Sequence, residues 1–170
     1  MSTTDNWGRT NRRKRTIKPF RPERMKATVL PFGNGRTYGD SCHNDAGTLL
    51  DSRAHNQILD FDNQSGLLRA QTGIMLDDLL AKLEGTGWFM PVVPGTRHVT
   101  LGGMLANDIH GKNHEHRGTF GRHVKTFSLV RSDGYTLACS PTENADLFAA
   151  TIGGMGLTGF VTECQVQLMR

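Results

Sequence analysis

Residues 94–116, PGTRHVTLGGMLANDIHGKNHEH, constrain the fold more than any other stretch of this chain. Thr100 stands where an N-cap belongs, just ahead of the apolar run LGGMLA, so a short helix starts at Leu101. Gly102 and Gly103 then fall in its first turn. Amides at a helix start lack intrahelical acceptors and carry the positive end of the helix dipole, so they attract phosphate. Two glycines there clear the backbone for a close approach. His110, Lys112, Asn113, His114 and His116 follow at once, too crowded for an ordinary solvated turn. The combination points to a bound cofactor.

A second glycine-rich turn agrees. The apolar run of residues 29–32 leads into Gly33, Asn34, Gly35, Arg36, Thr37, Tyr38, Gly39, Asp40 and Ser41. Successive amides in such a turn form a concave nest for a diphosphate, and Arg36 adds a fixed charge. Taken alone the signal is weak, because glycines mostly mark turns. The turn has no Gly-Lys-Ser/Thr ending, so it is not a Walker A loop. It also departs from the Rossmann GxGxxG, since the third glycine falls one place late.

The remaining pattern places these motifs in an α+β domain of mixed strands and three short helices. Residues 48–51, 58–61 and 67–71 read as strands, with a hairpin turn at 63–66. Leu76, Leu79, Leu80 and Leu83 fall on one helical face, predicting a helix over 74–83 that Gly85 and Gly87 end. Residues 88–93 are extended. Residues 124–131 and 135–139 flank Ser132-Asp133-Gly134 as a hairpin. Asn144 is placed to cap a helix running through Thr151. Phe160, Thr162, Cys164, Val166 and Leu168 alternate on the buried face of a last strand.

At 170 residues the chain can bury a core without metal or disulfide staples. Its 20 glycines gather in the motifs rather than in a linker, so they report turns and close approaches. Three cysteines with no CxxC pair read as thiols in a reducing compartment. The net charge of +4 hides an asymmetry: residues 1–30 carry nine Lys and Arg against Asp5 and Glu23, leaving the rest net acidic. The basic excess is densest at residues 12–15. It reads first as a solvated arm, and second as a contact for anionic lipid or nucleic acid. No run approaches the ~18 apolar residues of a spanning helix, and no apolar signal segment follows Met1, so a cytoplasmic location is expected.

Three ordered motifs carry a resemblance: GNGRTYGDS, then PVVPGTRHVTLGGMLANDIHGKNHEHRGTFGRHV, then DLFAATIGGMGLTGFV. Together they resemble the FAD-binding (PCMH-type) domain of the vanillyl-alcohol oxidase/p-cresol methylhydroxylase superfamily, nearest its decaprenylphosphoryl-ribose oxidase-like branch. Trp7-Gly8-Arg9 is a small further echo. The resemblance implies a two-subdomain FAD-binding fold over residues 29–170 behind a basic arm at 1–28. It also implies truncation relative to the family: a first βα unit shortened or lost upstream of Gly33, and a substrate domain absent after Arg170.

The same resemblance implies roles. Gly33, Asn34, Gly35, Arg36, Thr37, Tyr38, Gly39, Asp40 and Ser41 match the loop around the FAD pyrophosphate. Arg36 stands where some members tether the flavin through histidine, which implies non-covalent FAD. Gly95, Thr100, Leu101, Gly102 and Gly103 match a second cofactor segment. Asn107, Asp108, Ile109 and His110 match a third, beside the flavin rings. Gly159 and Val161 match the part that closes over the adenosine.

His110 and Lys112 match residues near flavin and substrate. The implied chemistry is hydride transfer from the hydroxyl carbon of a sugar, or of a polyprenyl-phosphate-linked pentose, to FAD. His110 would hold the flavin or take the hydroxyl proton. Lys112 would stabilise charge on reduced flavin or orient the substrate. The implied partners are FAD, the sugar substrate, a separate chain carrying the substrate domain, and a membrane surface met by the basic arm.

Other readings stand beside these. A catalytically inactive FAD-binding remnant explains the same motifs, and a basic-armed nucleic-acid binder explains the arm, although no nucleic acid is expected. His110, His114 and His116 invite zinc, but Lys112 among them disfavours a divalent ion, and no metal is expected. Trp88 and Phe89 read as core rather than as flavin-stacking rings. Asp77 and Asp78 complement a helix dipole rather than forming a catalytic pair. Cys139 has no cationic neighbour to activate it.

Overall fold

The computed structural model describes residues 16–21, 28–45 and 47–170. The basic run at 12–15 and the Trp7-Gly8-Arg9 echo lie outside them. Two sheets organise the described residues. The first is parallel, with β1 (Thr16–Pro19), β2 (Val29–Phe32) and β3 (Thr48–Asp51) in the order β1-β3-β2. The second is antiparallel, with β4 (Ile58–Asp62), β5 (Leu67–Gln71), β6 (Val124–Val130), β7 (Thr136–Cys139) and β8 (Phe160–Gln167) in the order β4-β5-β8-β6-β7. Helices α1 (Leu76–Leu83), α2 (Leu101–Ala106), α3 (His114–Arg117) and α4 (Ala145–Thr151), with a 3-10 turn at Phe120–His123, complete an α+β fold of two sheets.

The main core lies between the helices and the antiparallel sheet. Leu76 and Leu79 of α1 and Leu101, Met104 and Leu105 of α2 pack with Leu68, Leu129 and Val166 of the strands, each at most 1 % exposed. Each such side chain contributes roughly 1.5–3 kcal/mol of transfer free energy. A smaller cluster of Phe20, Leu50, Val130 and Phe160 joins the two sheets, with the Phe20 and Phe160 rings stacked at 3.7 Å. Phe20 therefore belongs to the fold, and so does β1, although both fall within the stretch read from sequence as a basic arm. Their apolar Ile17 and Phe20 decide this: Ile17 packs against the cluster of Leu30, Phe32 and Leu49. The upstream stretch, where a first βα unit was expected to be shortened or lost, thus holds a strand paired in parallel with β3.

Four local expectations are refined. Helix α1 begins at Leu76 rather than at 74, because Met75 bridges Thr100 and the Ile74 carbonyl accepts from Leu101 N–H at 2.9 Å. Asn144 does sit at the start of α4, but in a left-handed conformation (φ 49°) without a side-chain cap. Its Nδ2 instead donates to the Ala138 carbonyl at 2.7 Å. Helix α3 within the polar run was not expected. Trp88 is half-buried with Nε1 donating to Asn63 O at 2.9 Å, whereas Phe89 is 47 % exposed rather than core.

Cys164, on the buried face of β8, has its thiol pushed up to about 12 by burial and, secondarily, by the Glu163 carboxylate. A thiol whose pKa rises on folding contributes stability below its unfolded pKa, near 9, that is lost as pH climbs toward 12. Urea unfolding of the Cys164→Val variant is therefore expected to show a shallower loss of stability than wild type between pH 9 and 11. Equal slopes would refute this origin.

Candidate functional site

A cavity of about 530 Å³ opens at the seam where β2 leaves the parallel sheet, α2 begins and β8 enters the antiparallel sheet. Its size lies within the ~300–1,000 Å³ usual for small-molecule sites. Three chain segments far apart in sequence form its walls: the loop after β2, residues 94–110, and residues 151–161.

The first wall is the glycine-rich loop. Gly33, Asn34, Gly35, Arg36, Thr37, Tyr38 and Ser41 line the cavity, whereas Gly39 and Asp40 turn away from it. Gly35 has φ 60°, a left-handed value that glycine adopts without strain. Among the described residues, no acceptor meets the amides of Gly33, Asn34, Gly35 or Thr37. Thr37 Oγ1 is likewise buried without a hydrogen-bond partner. Gly35 is buried and the other three are half-buried, and buried donors are almost always satisfied in folded proteins, so the Gly35 amide and Thr37 Oγ1 offer hydrogen bonds to an acceptor from outside the chain. Asn34 Nδ2 donates to His98 O at 2.9 Å and ties the loop to the second wall.

The second wall behaves differently from the sequence expectation. Thr100 Oγ1 does cap α2, accepting from Gly103 N–H at 3.1 Å. The neighbouring amides, however, are already used. Leu101 N–H donates to Ile74 O at 2.9 Å and Gly102 N–H to Thr72 O at 2.7 Å. The start of α2 is thus closed to an anion and contributes space rather than amides. Gly95, Thr100, Gly102, Gly103, Asn107, Ile109 and His110 line the cavity. Leu101 does not, because it is wholly buried in the core. Asp108 also points elsewhere, its carboxylate accepting from Gly121 N–H at 2.7 Å. Lys112 is exposed beyond the lining, and His110 meets His114 edge-on at 5.7 Å.

The third wall brings Gly159 and Val161 to the cavity together with Thr151, Met155, Gly156 and Phe160. Arg131 donates to Thr158 O, and Thr151 Oγ1 meets Thr158 Oγ1 at 2.9 Å, so the turn is braced on both sides. Met155 holds φ 54° without being glycine, fixed by its N–H donating to Ala106 O at 2.8 Å.

Two further lining residues escaped the sequence reading. Ser52 is buried, with both its N–H and its Oγ donating to Phe32 O at 3.0 and 3.1 Å. Thr72 Oγ1 donates to Val161 O. Each follows the last residue of a strand, and no local pattern marks such a position as a site. Next to Ser52, burial pushes the Asp51 carboxyl up, but hydrogen bonds and charge from Arg53 outweigh it and hold the pKa below 3.8. The Asp51–Arg53 pair is a brace beside the cavity.

Trp88 and Phe89 lie away from this cavity, and Asp77 pairs with Arg97 at 3.3 Å. Among the described residues no three His, Cys, Asp or Glu side chains gather closely enough to hold a metal ion.

Comparison with known proteins gives one consistent answer. Residues 21–140 match the family described as FAD binding domain. The decaprenylphosphoryl-β-D-ribose oxidase of Mycolicibacterium smegmatis is 40% identical over 141 residues, covering 82% of this chain and 31% of that protein. The L-gulonolactone oxidase of Mus musculus is 27% identical over 86% of this chain and 32% of its own length. The Delta(24)-sterol reductase of Homo sapiens is 29% identical over 66% of this chain and 22% of its own. The chain thus spans about a third or less of the length of these relatives.

Proposed function

The chain belongs to the FAD binding domain family, with FAD as its cofactor, and from that premise we propose that the seam cavity is where this protein holds the dinucleotide. The observation that carries this reading is the loop after β2. Its unengaged amides and the unpartnered Thr37 Oγ1 supply donors for a diphosphate. Val99, Ile109, Phe160 and Val161 give the apolar wall that flat ring systems need. Gly95, where an added Cβ would meet no atom within 4 Å, leaves the backbone bare at the cavity wall.

In this reading the domain serves a flavin-dependent oxidoreductase acting on the hydroxyl carbon of a sugar or lipid-linked sugar. Bound FAD supplies a two-electron acceptor for the hydride from that carbon. His110, at the cavity edge, takes the hydroxyl proton on a ring nitrogen. Lys112, exposed two residues further on, orients the substrate once the cavity is covered. Groups that cover it would come from sequence beyond these residues or from another chain; the relatives are about three times as long. The basic excess of residues 1–30 adds contact with an anionic membrane surface from the cytoplasmic side.

The test is reconstitution. The full chain is incubated with FAD, freed of excess, and its visible spectrum recorded. Close to one equivalent of bound flavin is expected, all of it released on acid precipitation because the bond is not covalent. A folded but colourless protein would leave the family membership standing and make this chain an inactive remnant.

Cys42 lines the cavity and is half-buried, whereas Cys139 and Cys164 are fully buried. Bound FAD is therefore expected to slow the labelling of Cys42 by a thiol reagent at least roughly tenfold, since labelling then waits for dissociation. Unchanged labelling at saturating FAD would place the dinucleotide elsewhere.

A further inference from the structure

His110 hangs between two clamps. Downstream, Gly111 passes so close to the segment 91–93 that a Cβ would sit 2.6 Å from Val93 O, and Asn113 Nδ2 donates to Pro91 O at 3.0 Å. Upstream, the chain leaves α2 through Asp108, whose φ of 42° is left-handed and tolerated by Asp and Asn better than by most residues. From there Asp108 and Ile109 together cap the 3-10 turn Phe120–His123. Thr119, at its N-cap position, makes no side-chain cap. The Asp108 carboxylate accepts from Gly121 N–H at 2.7 Å instead, and Ile109 O accepts from Phe120 N–H at 2.9 Å. Phe120 is wholly buried, so the turn is a fixed anchor. Two hydrogen bonds to a buried anchor thus set the direction of the chain one residue before His110 enters the cavity lining.

We propose that Asp108 is the positioning residue for His110, holding it at the cavity edge by capping the 3-10 turn from a distance, rather than a residue that contacts the cofactor. The proposal rests on the reading of the cavity given above only where FAD binding is the readout. The geometry separates two properties of Asp108, its left-handed backbone and its acceptor oxygen. Asp108→Asn keeps both. Asp108→Gly keeps the backbone and removes the acceptor.

Both variants and wild type are compared with and without FAD by following the His110 imidazole chemical shifts at one fixed pH. FAD affinity is measured in parallel. Asp108→Asn is expected to match wild type in both. Asp108→Gly is expected to shift the His110 resonances and to weaken FAD binding about tenfold, on the scale of one lost charge-assisted hydrogen bond. His110 resonances unchanged in Asp108→Gly overturn the proposal. So does an Asp108→Asn variant that loses as much as Asp108→Gly, since charge rather than position would then be at work. If no form binds FAD, the cavity reading fails while the imidazole comparison in FAD-free protein still decides the role of Asp108.

Discussion

Gly33→Ala is expected to abolish retention of FAD on gel filtration and to weaken its binding by at least about a hundredfold, equivalent to ~2.8 kcal/mol. A Cβ at position 33 lands on Thr100 Oγ1, far inside van der Waals contact, with Thr100 Cγ2 and Cβ close behind. Thr100 is 2 % exposed and its hydroxyl caps α2, so it has no room to retreat and an existing hydrogen bond to lose. The glycine-rich loop must move instead, and the open amides of Gly33, Asn34 and Gly35 move with it. The double variant Gly33→Ala/Thr100→Ala removes the clash at the cost of a helix cap, about 1 kcal/mol. Its loss of stability is therefore expected to be smaller than the sum of the two single losses, a coupling that a double-mutant cycle reads directly. Gly33→Ala protein that binds FAD within threefold of wild type would show that this loop is not the cradle.

Gly73→Ala is expected to be the most destabilising small substitution in the chain, at about 3 kcal/mol or more. Gly73 is buried between β5 and α1, and an added Cβ would strike the Ser52 carbonyl and come within 2.6 Å of His55 O. Both obstacles are backbone, which cannot rotate aside. Both are also already engaged, because Ser52 O accepts from His55 N–H and His55 O from Gly73 N–H, each at 2.8 Å. Ser52 in turn holds Phe32 O at the root of the glycine-rich loop. The strain therefore reaches the cradle through Ser52. For a chain of this size the thermal midpoint of FAD-free protein should fall by roughly 6–12 °C, and FAD affinity should fall with it. A midpoint within ~2 °C of wild type would contradict the packing described.

Much of the architecture was legible because it depends on neighbours in sequence. The apolar spacing of Leu76, Leu79 and Leu83 sets the buried face of α1. The turn at Ser132-Asp133-Gly134 sets the pairing of β6 with β7, with Gly134 at φ 90° and Val130 opposite Thr136. Thr100 caps the residue three positions on. The same local reading missed α3, because a four-residue helix of HEHR has no apolar face to announce it. It also set the boundary of the basic arm too late, because charge dominates that composition while only Ile17 and Phe20 carry β1 into the fold.

The candidate site was legible as a set of segments but not as a set of contacts. The two glycine-rich stretches looked equivalent as anion sites, since both offer runs of amides. Thr72 and Ile74 distinguish them, by supplying acceptors to the start of α2 from a strand end about thirty residues earlier. Asp108 and His110 looked alike as members of one motif. The 3-10 turn draws the first away and leaves the second at the cavity edge.

The sequence alone determined the family, the cofactor class, the elements built on short-range periodicity and capping, and the segments that gather around the cavity. Only the tertiary structure decided which backbone donors remain open, which motif residues are drawn into the core or into braces, and that β1 belongs to the parallel sheet. Capping and amphipathicity are satisfied within a few residues. Whether a given amide is free depends on which carbonyl the rest of the chain brings to it, and that carbonyl is fixed only when the two sheets come together.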